Sequence, residues 1–222
     1  MATLVRPGGV RRIILLTLGW EELPKSVSVY GAPPEERMRE PVPGVLLQTD
    51  GGWVLLDTGF NTALIRDPAL HRRFYPTVEY RPVLPGPGEP IEQRLAEVGV
   101  DFDDPAIEWR LADGEAEVAP GITAIPTYGH TPGHQSFMVE LDESVGGDGF
   151  VFAFDAADLT ENIEHELAIG GFVGVEPEET VEPIRRLKEL AATKGYPLIP
   201  GHDPHVWPEL TTHFHERFAA PA

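Results

Sequence analysis

Two histidines frame a tight turn near the middle of the sequence, and they are the first residues that could support chemistry. The segment 128–134 reads Tyr-Gly-His-Thr-Pro-Gly-His, so His130 and His134 stand four residues apart. The two glycines and the proline exclude a helix, and the segment 131–134 predicts a type II turn, with proline second and glycine third. A solvated side chain is the ordinary alternative for either histidine. A rigid turn at a strand end nevertheless favours a ligand role for His130.

Two further polar groups follow predicted strands. Asp155 comes directly after the apolar run 150–154, and His202 lies in a Gly-His-Asp-Pro-His stretch after the last apolar run. A carboxylate that ends a buried strand is costly unless it is paired or bound to a cation, although a helix cap or turn is an equal alternative for Asp155. The sequence has no cysteine, so His, Asp or Glu must supply any metal ligands. His130, Asp155 and His202 therefore predict a hydrolytic metal site.

Short strands and a few helices must position these residues. The Asp-Gly pair between the runs 45–49 and 53–56 predicts a hairpin. The long, proline-rich segment from Glu21 to Pro43 predicts a flap over a pocket. The other predicted strands are 12–18, 107–111, 122–125, 135–141, 150–154 and 196–199, and the predicted helices are 90–98, 179–194 and 207–218. Strands predominate in the N-terminal part of the chain, and the C-terminal part has the order strand–helix–strand–helix. This order indicates a layered α/β protein with mixed sheets.

Composition narrows the classes of partner. The chain has 222 residues with 17 basic and 36 acidic side chains, a formal net charge of -19. Such a surface repels phosphate backbones, so nucleic acid is not an expected partner, whereas cations and neutral small molecules are tolerated. The apolar run Ile13 to Leu16 is too short for a secretion signal or a membrane span. We therefore expect a cytoplasmic protein with no membrane partner.

Several sequence segments resemble metallo-β-lactamase-fold hydrolases. Their residues are most similar to those of the N-acyl-homoserine lactonase branch. They follow the family order over nearly the whole chain: Trp53 to Phe60, Pro126 to Ser136, Phe154 to Ala157 and Leu198 to Asp203. The resemblance implies an α/β fold, a four-layer αββα sandwich formed as one domain over residues 1–222. It also implies that His130 and His202 bind different metal ions and that Asp155 bridges them. Asp57, His134 and Asp203 would support these ligands from outside the coordination sphere.

The resemblance breaks at the segment that supplies most of the family's metal ligands. That family takes four ligands from an H-x-H-x-D-H motif, yet no histidine lies between His71 and His130. The residues up to Asp104 resemble the approach to the motif, and those from Pro105 resemble a stretch well beyond it. A block is therefore missing near 104–105, which predicts a gap in the N-terminal sheet. With three ligands left, we expect at most one ion, zinc or another divalent metal.

Two more departures concern residues beside Asp155. Asp158 stands where such lactonases carry a tyrosine that contacts the substrate, and Phe154 replaces a small residue. By the resemblance, the chain would open an acyl lactone or a related ester with metal-activated water, in the manner of quorum-quenching enzymes. Asp155 and Asp158 are then the candidate catalytic residues, and the activity would be impaired.

Two alternatives to a lactonase-like hydrolase remain. The absent motif favours a non-catalytic descendant that keeps the fold for binding or assembly. An aspartic-protease reading of the segment 56–59 (Leu-Asp-Thr-Gly) requires a second copy of that segment, which the sequence lacks. A homodimer stays open, because a second chain could cover the edge left by the missing block.

The missing block generates a direct test. Each buried backbone group left unpaired costs about 1–3 kcal/mol, and Pro105 cannot donate a ladder hydrogen bond to close the gap. Inserting the histidine-bearing block of an intact lactonase between Asp104 and Pro105 should therefore raise both the melting temperature and the metal content per chain. An insertion that lowers the melting temperature and adds no metal would show that the chain is a complete, independently adapted fold.

Overall fold

The computed structural model describes residues 8–75, 79–101 and 112–218, and within them it shows two β-sheets. One sheet has four strands in the order β3-β2-β1-β4, and the other has five in the order β5-β6-β7-β8-β9. The strands are β1 Arg12–Pro24, β2 Arg37–Thr49, β3 Gly52–Leu56, β4 Arg81–Val83, β5 Ala116–Ala119, β6 Ile122–Pro126, β7 Gln135–Glu140, β8 Gly149–Phe152 and β9 Leu198–Ile199. The helices are α1 Lys25–Ser28, α2 Thr62–Arg66, α3 Pro68–Phe74, α4 Pro90–Glu97, α5 Thr160–His165, α6 Val181–Lys194 and α7 Val206–Arg217.

Three apolar clusters define the layers. The largest joins the inward faces of both sheets and is closed at one end by α7, through side chains that include Ile13, Leu47, Ile122, Phe152 and Phe214. A second packs α6 on the outer face of the five-stranded sheet, through Val151, Ile184 and Leu187 among others. A third packs α4 on the outer face of the four-stranded sheet, through Leu16, Leu46 and Leu95 among others. The expected four-layer αββα sandwich is confirmed.

The pairing of β8 with β9 brings the two best candidate ligands to one edge of the five-stranded sheet. β8 is buried at all four positions and pairs in parallel with β9, so that Phe152 lies opposite Ile199. Strands covered on both faces are apolar throughout, which the sequence of β8 reflects. Because the strands run in parallel, the loops that follow them, with Asp155 and His202, leave the sheet at the same edge.

The predicted flap from Glu21 to Pro43 is wrong. β1 continues to Pro24 and β2 begins at Arg37, so the two strands pair over most of this segment, with α1 and a turn between them. In the sequence alone, the prolines are evidence against a strand. Pro43, however, lies beside an irregularity in the register of β1, and a strand tolerates proline at such a place. As a result, Glu21 and Glu40 lie directly opposite each other in the sheet.

Most other elements agree with the sequence predictions. The predicted hairpin is confirmed, with Thr49 paired to Gly52, and α6 ends at Gly195 in a left-handed conformation with φ 71°. The predicted strand 107–111 and the join at 104–105 lie outside the described residues, so the gap in the N-terminal sheet stays a prediction. Within the described ranges, no helix combines the length and apolar character needed to cross a bilayer.

Gly201 provides a test of how tightly the strand ends pack. A Cβ atom at this position would lie 2.5 Å from the carbonyl oxygen of Phe154, and backbone cannot move aside as a flexible side chain does. Gly201→Ala should therefore destabilise the protein by about 1–3 kcal/mol in urea unfolding. Gly133→Ala is the matched control, because nothing lies within 4 Å of its Cβ position and its φ is not positive. Equal stability of the two variants would contradict the close packing.

Candidate metal centre

Backbone hydrogen bonds clamp the two loops that carry the candidate ligands. The Gly201 amide donates to the Ala157 carbonyl at 2.9 Å, and the His202 amide donates to the Asp158 carbonyl at 2.8 Å. The side chains then meet, with His202 Nε2 3.0 Å from Asp155 Oδ1. The structure thus brings together two of the three ligands that the sequence predicts.

Both ring nitrogens of His202 have partners, Nε2 in Asp155 and Nδ1 in two groups of the other sheet. Nδ1 lies 3.0 Å from the Pro41 carbonyl oxygen and 3.3 Å from Glu21 Oε1, and the residue is 8% exposed. Burial opposes a charged imidazole, but the hydrogen bond and the charge of Asp155 outweigh it and raise the pKa of His202 well above its usual value. A histidine whose Nδ1 donates to a carbonyl presents Nε2 outward, as metal-binding histidines do.

Asp155 stays ionised although it is partly buried. Burial alone would raise the pKa of Asp155, but hydrogen bonds from His134 and His202 and the charge of His202 lower it well below the usual value. His134 Nε2 lies 3.5 Å from Asp155 Oδ2. An ionised carboxylate at this position is a ready cation ligand.

A chain of hydrogen bonds orients His134. Its Nδ1 lies 2.9 Å from Thr127 Oγ1, which lies 2.9 Å from Ser136 Oγ, and that hydroxyl donates to the Ala153 carbonyl at 2.8 Å. The chain ends two residues before Asp155, so it ties the His134 ring to the strand end that carries the carboxylate. This geometry suits the supporting role proposed for His134.

His130 lies in the same neighbourhood but not in contact with the other two ligands. Its ring centroid is 5.9 Å from that of His134 in an edge-on arrangement. Burial lowers the pKa of His130, and the charge of Asp155 opposes the shift, so the ring is neutral and could bind a metal. The predicted turn after it closes with the His134 amide 3.2 Å from the Thr131 carbonyl oxygen. The turn is not type II, because the φ of Gly133 is not positive.

Asp57 and Asp203 differ in their hydrogen-bond partners and in their position relative to Asp155. Asp57 Oδ1 accepts the Gly59 amide at 2.6 Å, and the surrounding protein atoms and the charge of Asp155 raise the pKa of Asp57, although the residue is exposed within the described part of the chain. Asp203 accepts hydrogen bonds from the amide and hydroxyl of Thr160 and from the amides at the start of α7. Asp57 therefore adds charge beside Asp155, whereas Asp203 fastens α5 and α7 to the His202 loop. Their proposed support of a metal stays a prediction.

The backbone conformation of Phe154 shows why a small residue suits the position before Asp155. Its φ is 49°, a left-handed conformation that costs a side-chain-bearing residue about 1–2 kcal/mol. The Phe154 ring is 5% exposed and packs edge-on against Phe137 with a centroid distance of 5.8 Å. Burial of the ring offsets the backbone strain.

Glu21 and Glu40 were not predicted as site residues, because the sequence pattern placed both in a loop. Glu40 is 1% exposed, and both of its carboxylate oxygens accept the Ser28 hydroxyl, at 2.7 and 2.9 Å. Burial raises the pKa of Glu40 to about 7 and also raises the pKa of Glu21. Assigning paired strands to this stretch would have placed the two glutamates opposite each other, which is an unfavourable arrangement for like charges.

The residues fit a divalent cation. In the part of the chain that the structure describes, two sets of three side chains have ligand atoms within 4.8 Å of one another: Glu21, Glu40 and His202, and Asp155, Asp158 and His202. His130 belongs to neither set. Carboxylate and imidazole donors suit zinc, manganese and similar ions. The ligand roles of His130, Asp155 and His202 stay predictions.

A cavity of about 490 Å³ lies next to this cluster. Its wall is formed by Arg37, His71, Tyr75, Glu79, Tyr80 and Arg81. Tyr80 connects the cavity to the cluster, because its side chain hydrogen-bonds Glu21. A small molecule in the cavity would therefore lie beside the carboxylates.

Comparison of the structure with solved proteins shows the class of fold. AiiA of Bacillus thuringiensis, solved with N-decanoyl-L-homoserine at its active site, superposes with a TM-score of 0.78 at 23% identity, over 90% of this chain and 96% of that one. A probable metal-dependent hydrolase from Staphylococcus aureus superposes with a TM-score of 0.62 at 14% identity, over 87% and 90%. The chain has the metallo-β-lactamase fold.

Sequence comparison shows which enzymes part of the chain is similar to. It is 34% identical over 99 residues to an N-acyl homoserine lactonase of Bacillus thuringiensis, which covers 45% of this chain and 37% of that relative. It is 33% identical over 116 residues to the lactonase AttM of Azorhizobium caulinodans, which covers 50% of this chain and 42% of that relative. The match thus spans less than half the length of these relatives. No model of a known protein family matches the chain.

The buried glutamates generate a pH prediction. The pKa of Glu40 is raised from 4.5 to about 7, so the stability linked to its protonation is fully present below pH 4.5 and is lost as the pH rises through 7. Glu40→Gln keeps an acceptor for Ser28 but cannot ionise. In urea unfolding with a chelator, this variant should gain about 3 kcal/mol relative to wild type between pH 4.5 and pH 8. Glu189→Gln, at an exposed site on α6, is the control and should show no such gain. A pH-independent difference for Glu40→Gln would contradict the raised pKa.

Proposed function

We propose that the chain is a metal-dependent hydrolase that opens an acyl lactone or a related small ester. The observation that carries the proposal is the contact between Asp155 and His202 at neighbouring strand ends, 3.0 Å apart. The sequence similarity to N-acyl homoserine lactonases supports the choice of substrate class. AiiA, which shares the fold, holds N-decanoyl-L-homoserine at its active site.

The roles of the side chains follow from their surroundings. Asp155 and His202 would hold the cation, His130 would contribute its neutral imidazole, and the Pro41 carbonyl keeps His202 Nε2 facing Asp155. When bound, a divalent cation activates water and polarises the substrate carbonyl. Hydrolysis places the hydroxyl of water on the carbonyl carbon and its proton on the ring oxygen.

The donor count favours one cation and a reduced rate. Each set of close ligand atoms contains three side chains, and both sets share His202. Two-metal hydrolases stabilise both the attacking and the leaving oxygen, and one ion supplies only part of that stabilisation. We therefore expect turnover well below that of an intact two-metal relative, with zinc as one of several suitable ions.

The partner is a small molecule in this proposal. The cavity of about 490 Å³ beside Glu21 has the size of a small-molecule site. The formal net charge of -19 disfavours nucleic acid and favours neutral substrates such as acyl lactones.

Metal dependence and the role of Asp155 can be tested together. Hydrolysis of N-acyl homoserine lactones of several chain lengths should disappear with chelator and return with added Zn²⁺ or Mn²⁺. Asp155→Asn should lose at least about 100-fold in kcat/KM, equal to about 2.7 kcal/mol of transition-state stabilisation. Asp148→Asn, at the opposite end of β8 and 52% exposed, is the control and should retain activity.

Two outcomes would reject the proposal. Turnover that survives chelation would exclude a metal requirement. Cation binding without hydrolysis of any lactone or ester would instead identify a non-catalytic binding protein that keeps the fold.

A further inference from the structure

Asp158 is a buried carboxylate that has no hydrogen-bonding partner among the residues that the structure describes. The residue is 8% exposed, and its side chain makes no hydrogen bond or ion pair with any other described residue. A buried polar group without a hydrogen bond is costly, and a buried charge more so, unless another group compensates it. Either a proton or a bound cation can compensate this carboxylate.

The Asp158 carboxylate points at the candidate ligands. One of its oxygen atoms lies within 4.8 Å of ligand atoms of both Asp155 and His202. The hydrogen bond from the His202 amide to the Asp158 carbonyl, at 2.8 Å, fixes the two residues relative to each other. The three donors are thus placed by the backbone of the β8 and β9 loops rather than by flexible side chains.

The charge around this set is strongly negative. Glu21, Glu40 and Asp57 all lie close enough to Asp155 or Asp158 to influence the ionisation of these carboxylates. In the described ranges, no lysine or arginine forms an ion pair with any of these five carboxylates, and histidine supplies the only counter-charge. A divalent cation would balance such a cluster better than one imidazolium can.

We propose that Asp158 is a metal ligand and that it completes, with Asp155 and His202, a three-donor site for one divalent cation. The site replaces part of the coordination that the absent histidine-rich segment would supply. Two carboxylates and one imidazole form an oxygen-rich set, which accepts Mn²⁺ as well as Zn²⁺. The inference rests on the proposed metal requirement but not on the lactone substrate.

Direct binding measurements test this site. Calorimetric titration of chelator-treated protein with Mn²⁺ and, separately, Zn²⁺ should give about one site per chain. Asp158→Asn should weaken Mn²⁺ binding at least tenfold while the variant remains folded. Because the substitution removes a buried acidic group that has no hydrogen-bonding partner among the described residues, the melting temperature of the metal-free variant should equal or exceed that of wild type, and the rise on adding Mn²⁺ should be lost.

Two variants act as controls. Glu40→Gln alters the competing set of Glu21, Glu40 and His202, and it should bind Mn²⁺ within about threefold of wild type. Asp148→Asn removes an exposed carboxylate paired with Arg217 and should change nothing.

Three results would overturn the assignment of Asp158. Wild-type protein that binds neither ion would do so, as would Asp158→Asn protein that binds Mn²⁺ as tightly as wild type. Loss of binding in Glu40→Gln with full binding in Asp158→Asn would place the ion on the glutamate set instead. Activity is not part of this test, so binding without lactone turnover would leave the site in place and reject only the proposed hydrolase function.

Discussion

The contact between Asp155 and His202 is the interaction around which the other polar groups are arranged. It depends on the parallel pairing of β8 with β9, because only that register places both loops at one sheet edge. Each partner is then held from behind, His202 by the Pro41 carbonyl of β2 and Asp155 by His134. The pair therefore links the edge of one sheet to a strand of the other, across the interior of the sandwich.

Excess negative charge is the physical problem that this arrangement creates. Burial penalises each ionised carboxyl, and their proximity adds repulsion, so the pKa values of Glu21, Glu40 and Asp158 all rise. The protein can relieve the strain by binding protons or by binding a cation. Both routes use the same oxygen atoms, so protons and cations must compete for them. A site built this way tolerates the metal-free state because protons can occupy part of it.

Local patterns in the sequence were sufficient to predict most of the scaffold. The Asp-Gly turn predicted the hairpin of β2 and β3, and the apolar spacing of Ile184, Leu187 and Ala191 predicted α6. His130, Asp155 and His202 were predicted as a set because each follows a predicted strand, and glycine and proline flank both histidines. These features depend on neighbouring residues alone, which is why a single sequence reveals them.

Features that depend on pairing between distant residues were not predictable in the same way. Prolines near Glu40 indicated a loop, and only the pairing with β1 shows that the bulge beside Pro43 accommodates them. The prediction of a type II turn was wrong for a related reason. The conformation of Gly133 is set by its surroundings, which the Pro132-Gly133 dipeptide does not encode. The missed residues are consequently the ones contributed by the other sheet.

The position of the glutamates has a consequence for how the chain could compensate for an absent ligand segment. Glu21 and Glu40 come from the four-stranded sheet, whereas Asp155, Asp158 and His202 come from the ends of the five-stranded sheet. His202 lies between the two groups and has Glu21 on one ring edge and Asp155 on the other. A cation bound by Asp155, Asp158 and His202 would draw the imidazole away from Asp155 and leave Glu21 to accept the remaining ring proton. In that state the carboxylate, the imidazole and the metal would form the relay found in many metal sites, in which an outer carboxylate strengthens a histidine ligand. Glu21 would then stabilise the bound state, and the repulsion that it causes in the metal-free protein would become part of the driving force for binding.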